Sequence, residues 1–464
     1  MPPANLRFGG GAADTALTPV IALWLLLAIC IIWTRRRNQA IVPFLLAFYT
    51  IPIEQVLVIG GFHFTALRIL ILASLGRMIP GDRKLRRFAG GFNGIDKVVV
   101  FWSVWAVVAL YLQFPQTQAL INGFGVLVDT LGGYLVVRYF VPDREALFEA
   151  IGALAVLSVI LGICMIGEQF TRINFFGVLA GGNGAATVRD GHVRAGATLG
   201  PLYAGAFAGV LIPEFLWLWS TKKSRWKAIA GILGATTMVA TSYSSTSWMA
   251  LMGSAVGLAF WPVRKRMRLV RWGIVVGLVG LQLVMKAPVW ALIGRIDLTG
   301  SSSGYHRYML VDMTIRNFSK WWMIGTPSYV DWGWDSWDLC NQFVAVALTG
   351  GLLTLGLYVA IFKKGFSAVG KARTRTAGDR REEWFLWCLG STLFATAVTH
   401  FGINYAAQLI MGFFVLIACI QVATQARKRA IRMPGLPALP AERAATSAEP
   451  VLANQMIPAT GMRP

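Results

Sequence analysis

Thirteen apolar runs divide the chain, near residues 17–34, 40–51, 63–76, 95–113, 119–141, 146–167, 199–220, 226–242, 247–262, 269–286, 338–361, 384–400 and 403–423. Most approach the roughly 17 to 25 residues that a helix needs to cross a bilayer; the second and third are short. The pattern predicts an all-α, polytopic membrane protein of about 13 transmembrane helices. The first run, LTPVIALWLLLAICIIWT, is followed rather than preceded by positive charge and carries no small-residue cleavage site. It is expected to stay as a span and not to be removed as a signal peptide.

The polar stretches between runs alternate in kind. Basic clusters stand at Arg35 to Arg37, Arg77 to Lys97, Arg138 with Arg144, Lys222 to Lys227, Arg264 to Arg271, Lys363 to Arg381 and Arg427 to Arg432. All fall on one predicted face, which holds 31 Lys and Arg against 10 at or beyond the other, counting Arg68 inside the third run. That bias makes the first face cytoplasmic, with the amino terminus outside and the carboxyl terminus inside. An odd number of spans is then required, in agreement with the count of runs.

Composition removes two alternatives. With 464 residues, 56% hydrophobic, mean hydropathy +0.59 and only 14% charged, the chain is too apolar for a soluble protein of its length. Its net charge of +22 lies in the short clusters, so it reports topology and no nucleic-acid partner is expected. Cys30, Cys164, Cys388 and Cys419 lie inside runs and Cys340 at the start of one, without disulfide or zinc spacing. His63, His192, His306 and His400 likewise show no metal spacing, and neither a metal nor a cofactor is expected.

Polar chemistry concentrates on the outer face. Two loops there are long, about 168–198 with GGNGAATVRDGHVRAGA, and 287–337; a short turn, TSYSSTS at 241–247, is rich in hydroxyls. The integral membrane domain is placed at 1–432. The tail at 433–464, rich in Pro and Ala, is expected to be disordered in the cytoplasm. No internal repeat is visible.

The second long loop suits short helices. In GYHRYMLVDMTIRNFS, Tyr308, Val311, Ile315 and Phe318 fall within about 80° on a helical wheel, which predicts an amphipathic helix with that face on the membrane or on protein. Arg316 follows Asp312 by four residues and reads as a surface ion pair. Arg307 has no carboxylate three or four positions away, so its planar guanidinium suits an anion such as a lipid diphosphate or a headgroup. Arg194, in HVRAGATLGPLYAGAF, precedes glycines that allow close approach, and Gly191 argues against a helical pair with Asp190.

Asp338, at the end of YVDWGWDSWDLCNQF, begins the next run. Two readings remain open for it: a general base whose pKa partial burial would raise, and the helix cap. Trp321, Trp322, Trp332, Trp334 and Trp337 suit the headgroup region, with one or two of them free for sugar faces. The serines of SYSSTSW lack a fixed base, so turn formation or phosphate hydrogen bonding is expected of them.

Taken in order, HVRAGATLGPLYAG, TSYSSTSW, SGYHRYMLVD, WWMIGT, DWGWDSWDLCNQF and GGLLTLG resemble the O-antigen ligase and polysaccharide polymerase family of bacterial membrane glycosyltransferases. The likeness covers about residues 190 to 360. It implies a GT-C-like helical fold in the inner membrane. It also implies metal-independent transfer of a glycan from a polyprenyl-diphosphate carrier to a glycan or lipid acceptor at the periplasmic face. By the same resemblance Arg194 and Arg307 would hold the diphosphate, with Ser245, Asn341, Trp334 and Trp337 as further substrate contacts. Membrane lipids and other polysaccharide-assembly proteins complete the expected partners.

The chain departs from the family at two places: TSYSSTSW has no arginine where many ligases have Ser-Arg, and Cys340-Asn341 replaces a His-Asn pair. The catalytic candidates are therefore Asp338 and, behind it, His306, and ligase and polymerase both stay open. A transporter or flippase for a glycolipid or small anion is the rival reading. It would gather ionisable groups near the bilayer midplane, where Asp129 is the clear mid-run carboxylate. A scaffold subunit without activity is a third reading.

Overall fold

The computed structural model describes residues 15–79, 88–221, 224–295, 303–333, 336, 338–405 and 408–431. It is mostly helical, and each of the thirteen apolar runs falls largely on helix. The amino-terminal helices are α1 (Pro19–Thr34), α2 (Ile41–Thr50), α3 (Ala66–Gly76) and α4 (Gly94–Gln113). Next, α5 (Thr117–Leu127) continues through a π-helical turn at Val128–Gly132 into α6 (Gly133–Phe140). Then come α7 (Arg144–Thr171), the short α8 (Phe175–Leu179), α9 (Pro201–Ser220), α10 (Arg225–Thr241), α11 (Ser245–Ala259) and α12 (Met267–Val284). The second long loop holds α13 (Leu292–Arg295), α14 (Ser303–Arg316) and α15 (Phe318–Trp321), and α16 (Gln342–Arg375), α17 (Arg380–Thr399) and α18 (Gln408–Ile431) follow. Among the described residues, seven helices are long and apolar enough to cross a membrane by length and composition.

One continuous apolar core runs through the bundle, with α9 packed against α7, α10, α11 and α17. Apolar side chains gain little from leaving lipid, so close packing of small residues has to hold such helices together. A Cβ on Gly234 of α10 would stand 2.5 Å from the Ser158 carbonyl oxygen of α7. Pro213 inside α9 has no N–H for the Gly209 carbonyl, and Ser254 Oγ of α11 donates to that oxygen at 2.7 Å instead.

Two antiparallel hairpins interrupt the all-helical expectation. β1 (Val56–Ile59) pairs with β2 (Phe62–Thr65), and β3 (Thr187–Arg189) with β4 (His192–Arg194). Their two-residue turns, Gly60-Gly61 and Asp190-Gly191, have positive φ at all four positions, as tight hairpins demand.

Among the described residues, members of five of the basic clusters come together at one end of the bundle. Arg77 reaches the Ile32 and Arg35 carbonyls, and Arg37 Nε donates to the Tyr139 carbonyl at 2.6 Å. Arg144 forms a two-point pair with Glu382, while Arg264 and Arg373 share Glu383 Oε1 at 3.1 and 3.4 Å. Fully enclosed, Arg138 meets Asp96 at 2.9 Å, and Tyr134 also donates to that carboxylate.

At the opposite end α16 is broken. Gly350 and Gly351 leave helical geometry, Gly351 at φ +75°, where a Cβ would stand 2.5 Å from the Met323 carbonyl oxygen. The break admits the chain after α15: Thr326 N donates to Leu348 O at 2.9 Å and Leu352 N to Trp322 O at 2.8 Å. Gln113 of α4 clamps both sides by donating to the Ile324 and Thr349 carbonyls at 2.6 and 2.7 Å.

Candidate functional site

The turn between α10 and α11 is the hub of the end opposite the basic clusters. Ala195 N donates to Thr241 O at 3.1 Å, which ties the strand carrying Arg194 to the last residue of α10. The His192 ring stacks on Tyr243 with centroids 4.9 Å apart. On the far side of the turn, Arg307 Nη2 of α14 donates to Ser245 Oγ and Thr246 Oγ1, each at 3.0 Å. Thr246 Oγ1 in turn donates to Gly402 O at 3.2 Å, which leaves its lone pairs facing the guanidinium. One turn thus joins a hairpin more than forty residues before it to a helix about sixty residues after it.

Arg307 is 7% exposed and shares the buried side of α14 with Leu310 and Thr314, whereas Ile315 and Phe318 face outward. The apolar face expected on membrane or protein thus leaves Ile315 and Phe318 open, while the hydroxyls at the start of α11 draw the guanidinium inward. They also supply Arg307 with partners that its neighbours in sequence did not suggest. The ion pair of Arg316 with Asp312 is present at 2.6 Å, and Trp290 Nε1 donates to the same carboxylate at 3.1 Å.

Arg194 is 9% exposed, and among the described residues it has no hydrogen bond or ion pair; its Nε is wholly enclosed. Asp190 turns instead to Arg189, at 3.6 Å. Burial lowers the Arg194 pKa, the Arg189 charge lowers it further, and Asp190 opposes both. An anion placed against it would reverse the shift. The backbone that follows is fixed by Glu168 of α7, whose Oε2 accepts from Gly196 N and Ala197 N at 3.0 Å each. Glu168 was missed in the sequence, where its only signal is a carboxylate at the end of a long apolar run.

His306 and Asp338 lie together. His306 Nε2 is 3.0 Å from the Asp338 carbonyl oxygen and 3.9 Å from its carboxylate. Asp338 does not cap α16; Asn341 does, its Oδ1 accepting from Phe343 N at 3.0 Å and Val344 N at 3.2 Å. The correction is one of register, because either short side chain can accept from first-turn amides, and the cap stands three residues beyond the start of the apolar run. The Asp338 side chain is 54% exposed, and its charge acts on the Tyr203 hydroxyl near the start of α9. Asn341 is buried beneath it.

An apolar recess opens beside His306, lined by Met309, Met313, Trp332 and Leu348. Trp321 is buried and donates to Thr314 O at 2.7 Å, whereas Trp322 is exposed. Trp334 and Trp337, expected to touch substrate, and the tail at 433–464 lie outside the described residues.

In the apolar middle, Asp129 pairs with Arg68 through two contacts, at 2.7 and 3.1 Å, on the π-helical turn. Asp129 is not the only mid-helix carboxylate: Glu214 sits inside α9 and is 2% exposed. The chain matches no protein-family profile and no curated protein.

Proposed function

We propose that this chain is a membrane glycosyltransferase of the O-antigen ligase and polysaccharide polymerase type, with its thirteen apolar helices as spans in a GT-C-like fold. It resides in the bacterial inner membrane, with the amino terminus periplasmic and the basic end of the bundle cytoplasmic. The observation that carries the reading is the 241–246 turn, which lies between the strand bearing Arg194 and the helix bearing Arg307.

In the reaction, an acceptor hydroxyl of a glycan or lipid attacks the anomeric carbon of a polyprenyl-diphosphate-linked glycan. The bond to the carrier oxygen breaks, and the diphosphate leaves with the electron pair. Arg194, mostly buried and without a side-chain partner among the described residues, and Arg307, oriented by two hydroxyls, offset the charge that develops on it. The proton released by the acceptor passes to Asp338, or to His306 beside it.

The test is glycan transfer by purified protein in lipid discs, using a polyprenyl-diphosphate oligosaccharide as donor. Loss of transfer in both Arg194→Ala and Arg307→Ala, with normal insertion, is expected; full product with either variant removes that arginine from the site. Impermeant labelling of single cysteines in intact cells should reach positions near Arg194 and Ser244 but not those near Arg373.

A second reading, a transporter or flippase for the same glycolipid or a small anion, draws on Glu214 and the Arg68–Asp129 pair in the apolar middle. Movement of the carrier glycan across vesicles without any transfer product would favour it.

A further inference from the structure

Glu214 lines a small enclosed cavity among α7, α9, α17 and α18, with room for one or two waters. Among the described residues its carboxyl has neither a hydrogen bond nor an ion pair. Two more polar groups on the cavity wall are also unsatisfied: Thr392 Oγ1 and the Tyr405 hydroxyl, which stands near Thr396 and Thr399 without hydrogen-bond geometry to either. The Tyr49 hydroxyl lies behind Gly412, off the cavity wall, 3.0 Å from where a Cβ there would be.

Buried polar groups nearly always have partners, so the three orphans Glu214, Thr392 and Tyr405 around one void indicate water inside it. The void is equally short of charge. No Lys, Arg, His or second carboxylate lines it. The titratable groups around Glu214 are the thiols of Cys388 on α17 and Cys419 on α18 and the phenols of Tyr405 and Tyr49. α7 contributes Leu154. The one backbone carbonyl that Pro213 releases is taken by Ser254, so a metal cation would find too few oxygens.

We propose that Glu214 is an intramembrane proton-binding site, its carboxyl held as the neutral acid and bridged by ordered water to Thr392 and Tyr405. The site is separate from the outer arginines and does not depend on what they bind.

Infrared spectroscopy of the full-length protein in lipid at neutral pH tests this directly. The wild type should show a carboxylic-acid carbonyl band that Glu214→Gln removes, with a loss equal to one carboxyl per chain. Thr392→Val and Tyr405→Phe should shift that band without removing it. No such band in the wild type, or its disappearance on adding sodium salt at constant pH, would overturn the proton site; an unshifted band in both hydroxyl variants would overturn the bridging water. Should Glu214→Gln fail to fold, the wild type still decides. Dicyclohexylcarbodiimide adds to protonated carboxyls in apolar surroundings, so mass mapping should find Glu214 modified, less so as pH rises, and an unmodified Glu214 would refute the proposal.

Discussion

The two ends of the bundle treat their enclosed arginines differently, the exposed pairs of Arg189 and Arg316 apart. At the basic end Arg138, Arg144, Arg264 and Arg373 each meet a carboxylate within 3.4 Å. At the other end Arg307 leans on two hydroxyls, and the mostly buried Arg194 side chain has no hydrogen bond or ion pair among the described residues. A guanidinium taken out of water costs stability unless something offsets its charge. Where the offset is built in, the arginine is part of the scaffold. Where it is missing, the fold has left a place for an anion to supply it.

The largest effect should come from breaking the scaffold end. Arg138→Ala strands the Asp96 carboxylate in the interior and should cost about 3–5 kcal/mol, the range for removing one partner of a buried pair. The readout is thermal unfolding in detergent, with transfer per folded molecule unchanged. Next, Arg194→Ala and Arg307→Ala should each lower transfer by roughly 10²–10³-fold, the scale of losing one oriented donor to developing negative charge. Lysine should restore little, because a point charge lacks the two-point fork. Melting temperature sharpens the contrast: Arg194→Ala should leave it unchanged or raise it, since no native partner is lost.

Asp338→Asn comes third. Asn341 already caps α16, so the amide variant should insert and melt normally while transfer falls about 100-fold. Near-normal turnover would defeat Asp338 as the base and move the role to His306. Smallest of all is Arg144→Ala. Its pair with Glu382 is partly open to solvent, and the change should alter stability by only about 0–1 kcal/mol, measured by the same melt.

Much of the scaffold was legible because apolar runs of spanning length leave few alternatives to helix. Sign-sorted clusters also told which gaps lie together, and the contacts of Arg37, Arg77, Arg144 and Arg373 gather them at one end. The hairpins were less so. The Asp190-Gly191 turn carried a usable signal in TVRDGHVR, but the glycine-rich surroundings read as loop. Side-chain direction was the weakest point. The helical wheel sorted α14 by apolarity, and nothing near Arg307 in sequence shows that Ser245 and Thr246 wait some sixty residues away. Glu214 was overlooked inside its apolar run, where Asp129 alone was singled out, and its facing a cavity depends on four helices at once.

The broken helix α16 puts one amide in an unusual position. Leu352 lies in the midst of a 34-residue helix, yet its N–H is given to Trp322 of the preceding loop and not to its own helix. Its hydrogen–deuterium exchange therefore runs at the rate at which that loop lifts away, while amides a turn further along exchange only when the helix itself unravels. A clock for the outer loop is thus written into a helix that the loop merely touches, and it can be read with no label attached near Arg307 or Asp338.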